Sequence, residues 1–113
     1  MISPEYLAAF ALTLSVEVAV GFALGLRSLP EIGAVGAAQL ITHPLLYAGA
    51  LALGASYSLP SCLLMEAGAV VVEAAVLRYA LPYKRFPEML LVSLMMNLAS
   101  FLAGAALFWR AAA

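Results

Sequence analysis

The sequence predicts an all-α protein, an integral membrane four-helix bundle that runs up-down-up-down. Two observations carry this prediction. Of the 113 residues, 66% are hydrophobic and 10% are charged, against about 25% charged in ordinary soluble domains. The apolar residues also fall into four runs of about 20, the length of a helix that crosses a bilayer. Each run is expected to be helical, because a helix satisfies its own backbone in lipid.

The four helices are predicted at 6–26, 32–53, 61–80 and 88–109, within a single transmembrane domain. A proline near the start of each later run suits a first helical turn. Connections this short leave consecutive helices antiparallel, which gives the alternating order. The first run is expected to be a retained helix and not a cleaved signal, because no basic region precedes it and Glu17 lies in its middle.

The basic residues indicate how the bundle is oriented. Arg27, Arg78, Lys84 and Arg85 fall at one membrane face, and Arg110 falls at the other. By the positive-inside rule, we expect both chain ends outside and the first and third loops in the cytoplasm. The expected location is a prokaryotic cytoplasmic membrane.

The composition also limits which binding partners are expected. Five Lys and Arg against six acidic residues leave no basic surface for nucleic acid. Cys62 is the only cysteine, so no intramolecular disulfide can form. Lipid is the expected surrounding. A homodimer or another membrane subunit is an open alternative, because Gly21 and Gly25 form a close-packing motif that could act within the bundle or between protomers.

Three glutamates inside two of the apolar runs are the main functional signal. Glu17, Glu66 and Glu73 lie in segments that are otherwise almost entirely hydrocarbon. An ionised carboxylate at the bilayer centre costs about 2.5–3.5 kcal/mol on insertion scales, so such residues usually mark pairing, protonation or ion binding. Glu66 and Glu73 are seven residues apart and therefore share a helix face, with Glu66 about 10 Å nearer the outside.

Other polar residues are expected at the same depth and on the same helix stripes. Spacings of four residues put Gln39 beside His43, and they also align residues of the first and fourth helices. The candidate ion- or proton-binding residues are Glu17, His43, Glu73, Glu66, Gln39 and Asn97, supported by Thr13, Thr42, Ser93 and Ser100.

The charge balance explains why a bound species is expected. Even if His43 is protonated and paired, two of the three buried carboxyls lack a basic partner, so they must be protonated, hydrated or neutralised by a cation. Glu17, His43 and Glu73 could offer mixed nitrogen and oxygen ligands to a divalent metal ion, the candidate cofactor. No HExxH or ExxH spacing makes that site specific. A histidine satisfied within the core is the alternative. Pro44 follows His43, and a kink is expected there.

The two halves of the chain, 1–57 and 58–113, indicate an internal repeat at an offset of about 57 residues. Glu17 lies over Glu73, and Gln39 lies over Asn97 after one inserted residue. The basic residue and Pro-Glu pair at 27–31 recur at 84–88. Because two helices form one unit, the copies would be related by a pseudo-twofold axis along the membrane normal, as a parallel duplication. Chance similarity between apolar segments is the alternative.

Two resemblances follow from these motifs. The segments Gln39-Leu40-Ile41-Thr42-His43-Pro44 and Asn97-Leu98-Ala99-Ser100, with the surroundings of Glu73, resemble a family of small four-helix prokaryotic membrane proteins. That resemblance implies the fold and no particular activity. The length, the four helices and Glu17 are also superficially similar to the small multidrug resistance transporters. This second resemblance would imply that Glu17 exchanges protons for a cationic substrate in a dimer. The additional acids and the parallel repeat depart from that family.

The leading hypothesis is a small membrane protein that binds a proton, cation or metal ion at a buried acidic midplane site, as a transport or ion-coupling module. The alternative is a structural or assembly protein whose acids are protonated and hydrogen-bonded, with no ligand. An enzyme is not favoured, because the sequence has no Ser/His/Asp set, phosphate loop or cofactor fingerprint. Only a metal ion would support catalysis.

Overall fold

The computed structural model describes residues 4–54 and 58–112, with side chains described up to residue 106 of the last helix. The four helices are α1 Pro4–Ala23, α2 Leu29–Leu53, α3 Leu59–Ala80 and α4 Phe86–Ala112. All four are long and apolar enough to cross a membrane. The all-α membrane bundle is therefore confirmed. The side chain of Arg110 lies outside the described residues.

The helices pack in a ring in which each contacts two neighbours. α1 packs on α2 and α4, and α3 packs on α2 and α4. Among the described residues, the diagonal pairs α1 with α3 and α2 with α4 do not pack directly. The bundle measures 42 × 25 × 22 Å, and its long dimension is close to the roughly 40–45 Å of a bilayer with its headgroups. The centre of the ring is therefore left for side chains.

The first helix ends three residues earlier than predicted, at Ala23. Gly25 has a φ of 111°, a backbone conformation that glycine adopts without steric cost. The Leu26 N–H donates to the Gly21 carbonyl over 2.8 Å, and the Gly25 N–H donates to the Phe22 carbonyl over 3.2 Å. These two bonds form a Schellman motif, which ends a helix by satisfying its last carbonyls.

The second and third helices begin earlier than predicted, because the residues that cap them, Ser28 and Ser58, lie closer to the preceding helix than the predicted starts. The Ser28 hydroxyl accepts from the Glu31 N–H, and the Glu31 carboxylate accepts from the Ser28 N–H, forming a capping box. Ser58 caps α3 in the same way with Ser61. Each cap is followed by one apolar residue and a proline inside the first turn, a position that tolerates the missing N–H.

The second helix continues through Pro44 to Leu53 without a break. Proline provides no N–H for the Leu40 carbonyl, yet His43 remains helical. The kink expected here stays a prediction.

The interior differs between the two ends of the bundle. We call the end that contains the loops 24–28 and 81–85 the loop face, and the end that contains Pro4, Gly54 and Ser58 the terminal face. Buried apolar side chains fill the interior near the loop face, and we call them the apolar plug: Leu26, Ala34, Val35, Leu77, Leu81, Met89, Val92 and Met96. Glu31 is buried at the loop face itself. The other buried polar side chains at the centre of the bundle lie on the far side of the plug from the loop face: Glu17, Gln39, Thr42, Glu73, Asn97 and Ser100.

Candidate functional site

Two of the predicted acids meet inside the bundle. Glu17 of α1 is 1% exposed, and Glu73 of α3 is 0% exposed. The two side chains interact electrostatically, and their carboxyl groups lie close enough to share a hydrogen bond if one of them carries a proton. Glu17 and Glu73 therefore connect α1 and α3, the diagonal helices that do not pack directly on each other.

Amide groups from both neighbouring helices donate to the Glu73 carboxylate. Gln39 Nε2 of α2 donates to Oε1 over 2.6 Å, and Asn97 Nδ2 of α4 donates to Oε2 over 2.8 Å. Asn97 Nδ2 also donates to the Ser93 carbonyl over 2.8 Å. Each oxygen of Glu73 therefore has a fixed donor, and the carboxylate joins three helices.

Glu17 is less well satisfied than Glu73. The Ser100 hydroxyl lies 3.1 Å from Glu17 Oε2, but it also lies 3.1 Å from the Asn97 carbonyl and has one proton for the two acceptors. Glu17 Oε1 is buried and has no hydrogen-bond partner in the part of the chain that the structure describes. A carboxylate oxygen is an acceptor, so Glu17 Oε1 has the chemistry to take up a proton or to bind a cation.

A cavity of about 340 Å³ lies on the terminal-face side of the acid pair. A water molecule takes up roughly 30 Å³ in the liquid, so the cavity has room for several waters around an ion. Side chains of all four helices line it: Thr13, Glu17, Gln39, Thr42, His43, Leu46, Tyr47, Cys62, Glu66, Asn97, Ser100, Phe101, Gly104 and Ala105. Glu66, half-buried, is part of this wall.

His43 lines the cavity, and its ring contacts the aromatic side chains of Tyr6 and Phe10. Its Nδ1 lies 3.2 Å from the Tyr6 hydroxyl, and the Phe10 ring packs edge-on at 5.0 Å between centroids. Tyr6 also packs against Tyr47 at 4.5 Å. The contact between Tyr6 and His43 was not predicted, because it joins residues 37 positions apart and leaves no local pattern in the sequence.

The supporting residues divide between the cavity and the helix contacts. Thr13 lines the cavity. The Thr42 hydroxyl donates to the Ala38 carbonyl of its own helix over 3.0 Å. The Ser93 hydroxyl donates to the Val70 carbonyl over 2.8 Å and so joins α4 to α3. Ser93 therefore contributes to packing, as hydrogen bonds between membrane helices commonly do.

The arrangement does not form a metal-ligand set. Within residues 4–54 and 58–106, no three His, Cys, Asp or Glu side chains come together in a way that could hold a metal ion. Glu17 and Glu73 meet, whereas His43 is paired with Tyr6. A divalent ion bound jointly by Glu17, His43 and Glu73 has no support from this geometry.

A second polar cluster lies at the loop face, and we call it the Glu31 cluster. Glu31 Oε1 accepts from the N–H groups of Arg27 and Ser28, each over 3.0 Å. Its Oε2 accepts from the Tyr83 hydroxyl over 2.8 Å and lies 3.7 Å from Lys84 Nζ. The bond to the Glu31 carboxylate raises the pKa of the Tyr83 phenol above its ordinary value.

The Glu31 cluster was also missed as a site. The Ser-x-x-Glu spacing of Ser28 and Glu31 signals a capping box, but the bond to Tyr83 crosses 52 positions.

In comparisons with known proteins, no family model, no curated protein and no solved structure matches this chain.

Proposed function

We propose that this protein binds an exchangeable proton or a cation at the Glu17–Glu73 pair and acts as a transport or ion-coupling module of the membrane. The observation that supports the proposal is the unpartnered Glu17 Oε1, buried beside a second carboxyl group where Glu17 lines the cavity. The proposed location is a prokaryotic cytoplasmic membrane, with the terminal face outside.

Charge repulsion explains why the pair needs a positive partner. Two unit charges 4 Å apart repel by roughly 4 kcal/mol at the effective dielectric constant near a protein surface, and by more in a drier interior. Gln39 and Asn97 both donate to Glu73, which suits Glu73 as the ionised member. A proton on Glu17 Oε1, or a cation beside it, would then remove the repulsion and satisfy the unpartnered oxygen.

The cavity provides the proposed route to the pair. Glu66 lies on the cavity wall, about 10 Å from Glu73 along the same helix, and would be the outer step of the route. His43 would act at the wall as a relay, with Tyr6 holding its ring. Gln39 and Asn97 would orient the pair. Their equivalent positions in the two halves also support the proposed parallel duplication.

A structural role is the second candidate, and the hydrogen bonds between helices favour it. Asn97 and Ser93 join α4 to α3, and Gln39 joins α2 to α3. Under this alternative the acids hold permanent protons and only stabilise the bundle. Variants that keep hydrogen-bonding capacity but lose the acid would then retain every property of the protein.

Flux measurements distinguish the two candidates. The protein is reconstituted into liposomes that contain a pH-sensitive dye, and proton or cation movement is followed after a step in external pH or salt. We expect Glu17→Gln and Glu73→Gln to abolish the response. Glu88→Gln, the same change at an exposed glutamate, should preserve it. Wild-type flux in both the Glu17→Gln and the Glu73→Gln variant would reject the transport role.

A further inference from the structure

We infer that the Glu17–Glu73 pair is open to the terminal face only, and that the Glu31–Tyr83 hydrogen bond is a latch that holds the loop face closed. The inference rests on the proposed function, since a closed side matters only for a site that exchanges its ligand. It assigns a role to the Glu31 cluster, which the proposed binding site does not use.

The order of residues along the helices places the cavity and the plug on opposite sides of the acids. From Glu17 and Glu73 toward the terminal face come Thr13 and Glu66, both on the cavity wall. Toward the loop face, Leu77 of the plug follows Glu73 by one turn, about 6 Å. The pair therefore lies at the inner end of a cavity and directly against an apolar barrier.

A cavity of about 310 Å³ at the loop face reaches the outer side of the barrier at Leu26, Met89 and Val92, but the barrier side chains are themselves buried. Leu26, Leu77 and Leu81 are each at most 1% exposed, and Met96 is 0% exposed. Close-packed apolar side chains of this kind exclude water, because the interior offers it no hydrogen-bond partners. A proton or hydrated ion cannot reach the acids from the loop face unless these side chains separate.

The Glu31 cluster holds the two loops that carry part of the plug. Leu26 lies in the loop before α2, and Leu81 lies just after α3. The Glu31 carboxylate binds the backbone of the first loop through the Arg27 and Ser28 N–H groups. It binds the second loop through the Tyr83 hydroxyl over 2.8 Å and contacts it again through Lys84 Nζ at 3.7 Å. The bond to Tyr83 is the shorter link, so breaking it weakens the connection between the loops that carry Leu26 and Leu81 while the helix cap remains intact.

The reactivity of the natural thiol of Cys62 tests whether the cavity is accessible from one face only. Cys62 is the only cysteine and lines the cavity. In vesicles of one orientation, a charged membrane-impermeant methanethiosulfonate should modify Cys62 from the terminal face and not from the loop face. Leu29→Cys in a Cys62→Ser background marks the loop face, because Leu29 is 85% exposed. Modification of Cys62 from the loop face would overturn one-sided access.

A second thiol tests the latch. Val35→Cys, again in the Cys62→Ser background, places a similar-sized side chain in the plug and should resist the reagent. Adding Tyr83→Phe should raise its reactivity from the loop face by about tenfold or more, the change in an opening equilibrium expected from loss of one charge-assisted hydrogen bond. Glu31→Gln should act in the same direction. Tyr79→Phe, which removes a hydroxyl from a side chain that is 89% exposed, should change nothing.

The outcomes separate the latch from the binding proposal. Equal reactivity of Val35→Cys with and without the Tyr83 hydroxyl would reject the latch, whatever the flux experiment shows. Tyr83→Phe retains the Ser28–Glu31 cap, and a wild-type rate of Cys62 modification in that single variant verifies the fold. If the glutamine variants at positions 17 and 73 keep wild-type flux, the binding proposal fails while the thiol result still reports on the latch.

Discussion

Asn97 Nδ2 donates to Glu73 Oε2 over 2.8 Å, and this bond joins α4 to α3 in the layer of the buried acids. The same amide group donates to the Ser93 carbonyl one turn earlier in its own helix. The Asn97 side chain is therefore fixed at both of its donor positions. Its orientation presents Glu73 with a donor and leaves the unsatisfied oxygen on Glu17.

Asn97→Ala should destabilise the bundle because it leaves Glu73 Oε2 without its donor. Hydrogen bonds between membrane helices contribute about 0.6–2 kcal/mol, and we expect a loss of that size. Unfolding in mixed micelles with increasing dodecyl sulfate measures it. The control is Leu98→Ala, at a neighbouring side chain that is 50% exposed. An equal loss of stability in the two variants would show that the bond contributes nothing.

Gly21→Leu should destabilise the contact between α1 and α4. A Cβ at Gly21 would lie 3.2 Å from Met96 Sδ and 3.6 Å from Val35 Cγ2, so a larger side chain must displace the plug. Overpacking of this kind costs about 1–3 kcal/mol. Gly36→Leu is the matched control, because a Cβ there meets nothing within 4 Å. The same unfolding assay should show no comparable loss at position 36, and similar losses at both positions would contradict the packing described here.

Gly25→Ala tests the turn that ends α1. The φ of 111° is unfavourable for a residue with a Cβ, by about 1–2 kcal/mol, and stability should fall by this amount although the surrounding space is open. Gly33→Ala, inside α2 with no atom near its Cβ position, should instead gain up to about 1 kcal/mol of helix propensity. Opposite signs in thermal unfolding are the expected result. A neutral Gly25→Ala variant would indicate that the turn can rearrange.

Tyr83 should ionise at a higher pH than an ordinary tyrosine. The Glu31 carboxylate accepts a hydrogen bond from the phenol O–H, which stabilises the protonated phenol and so raises the pKa of Tyr83 from 10.0. The folded-state pKa is thus above the unfolded one, so the stability from this bond is present below pH 10 and is lost as pH rises through the raised value. Difference absorbance of phenolate between wild type and Tyr83→Phe isolates this group. Glu31→Gln should return its titration toward the ordinary value, and an unshifted wild-type curve would contradict the bond.

The sequence predicted the helices because bilayer length and apolar composition leave few alternatives for this chain. It misplaced their ends because the deciding contacts are caps, such as Ser28 with Glu31, and a glycine turn at Gly25. Counting residues along each helix also predicted that Glu17 and Glu73 lie in one layer.

The remaining parts of the site depend on packing between distant segments. The pairing of His43 with Tyr6 and of Glu31 with Tyr83 follows from how the helices rotate against each other. No regular spacing of residues in the sequence indicates either contact. The surplus of acidic residues inside the apolar segments could therefore be predicted from the sequence, whereas the hydrogen-bond partner of each polar group could not.

Infrared titration of the carboxyl groups tests most directly whether the acid pair holds an exchangeable proton or cation. In wild-type protein, we expect a protonated-carboxyl band that weakens when pH is raised or a bound cation is added. Glu17→Gln and Glu73→Gln should each remove this response, and Glu88→Gln should keep it. A response that persists unchanged in both the Glu17→Gln and the Glu73→Gln variant, or a wild-type band that never responds, would contradict the account.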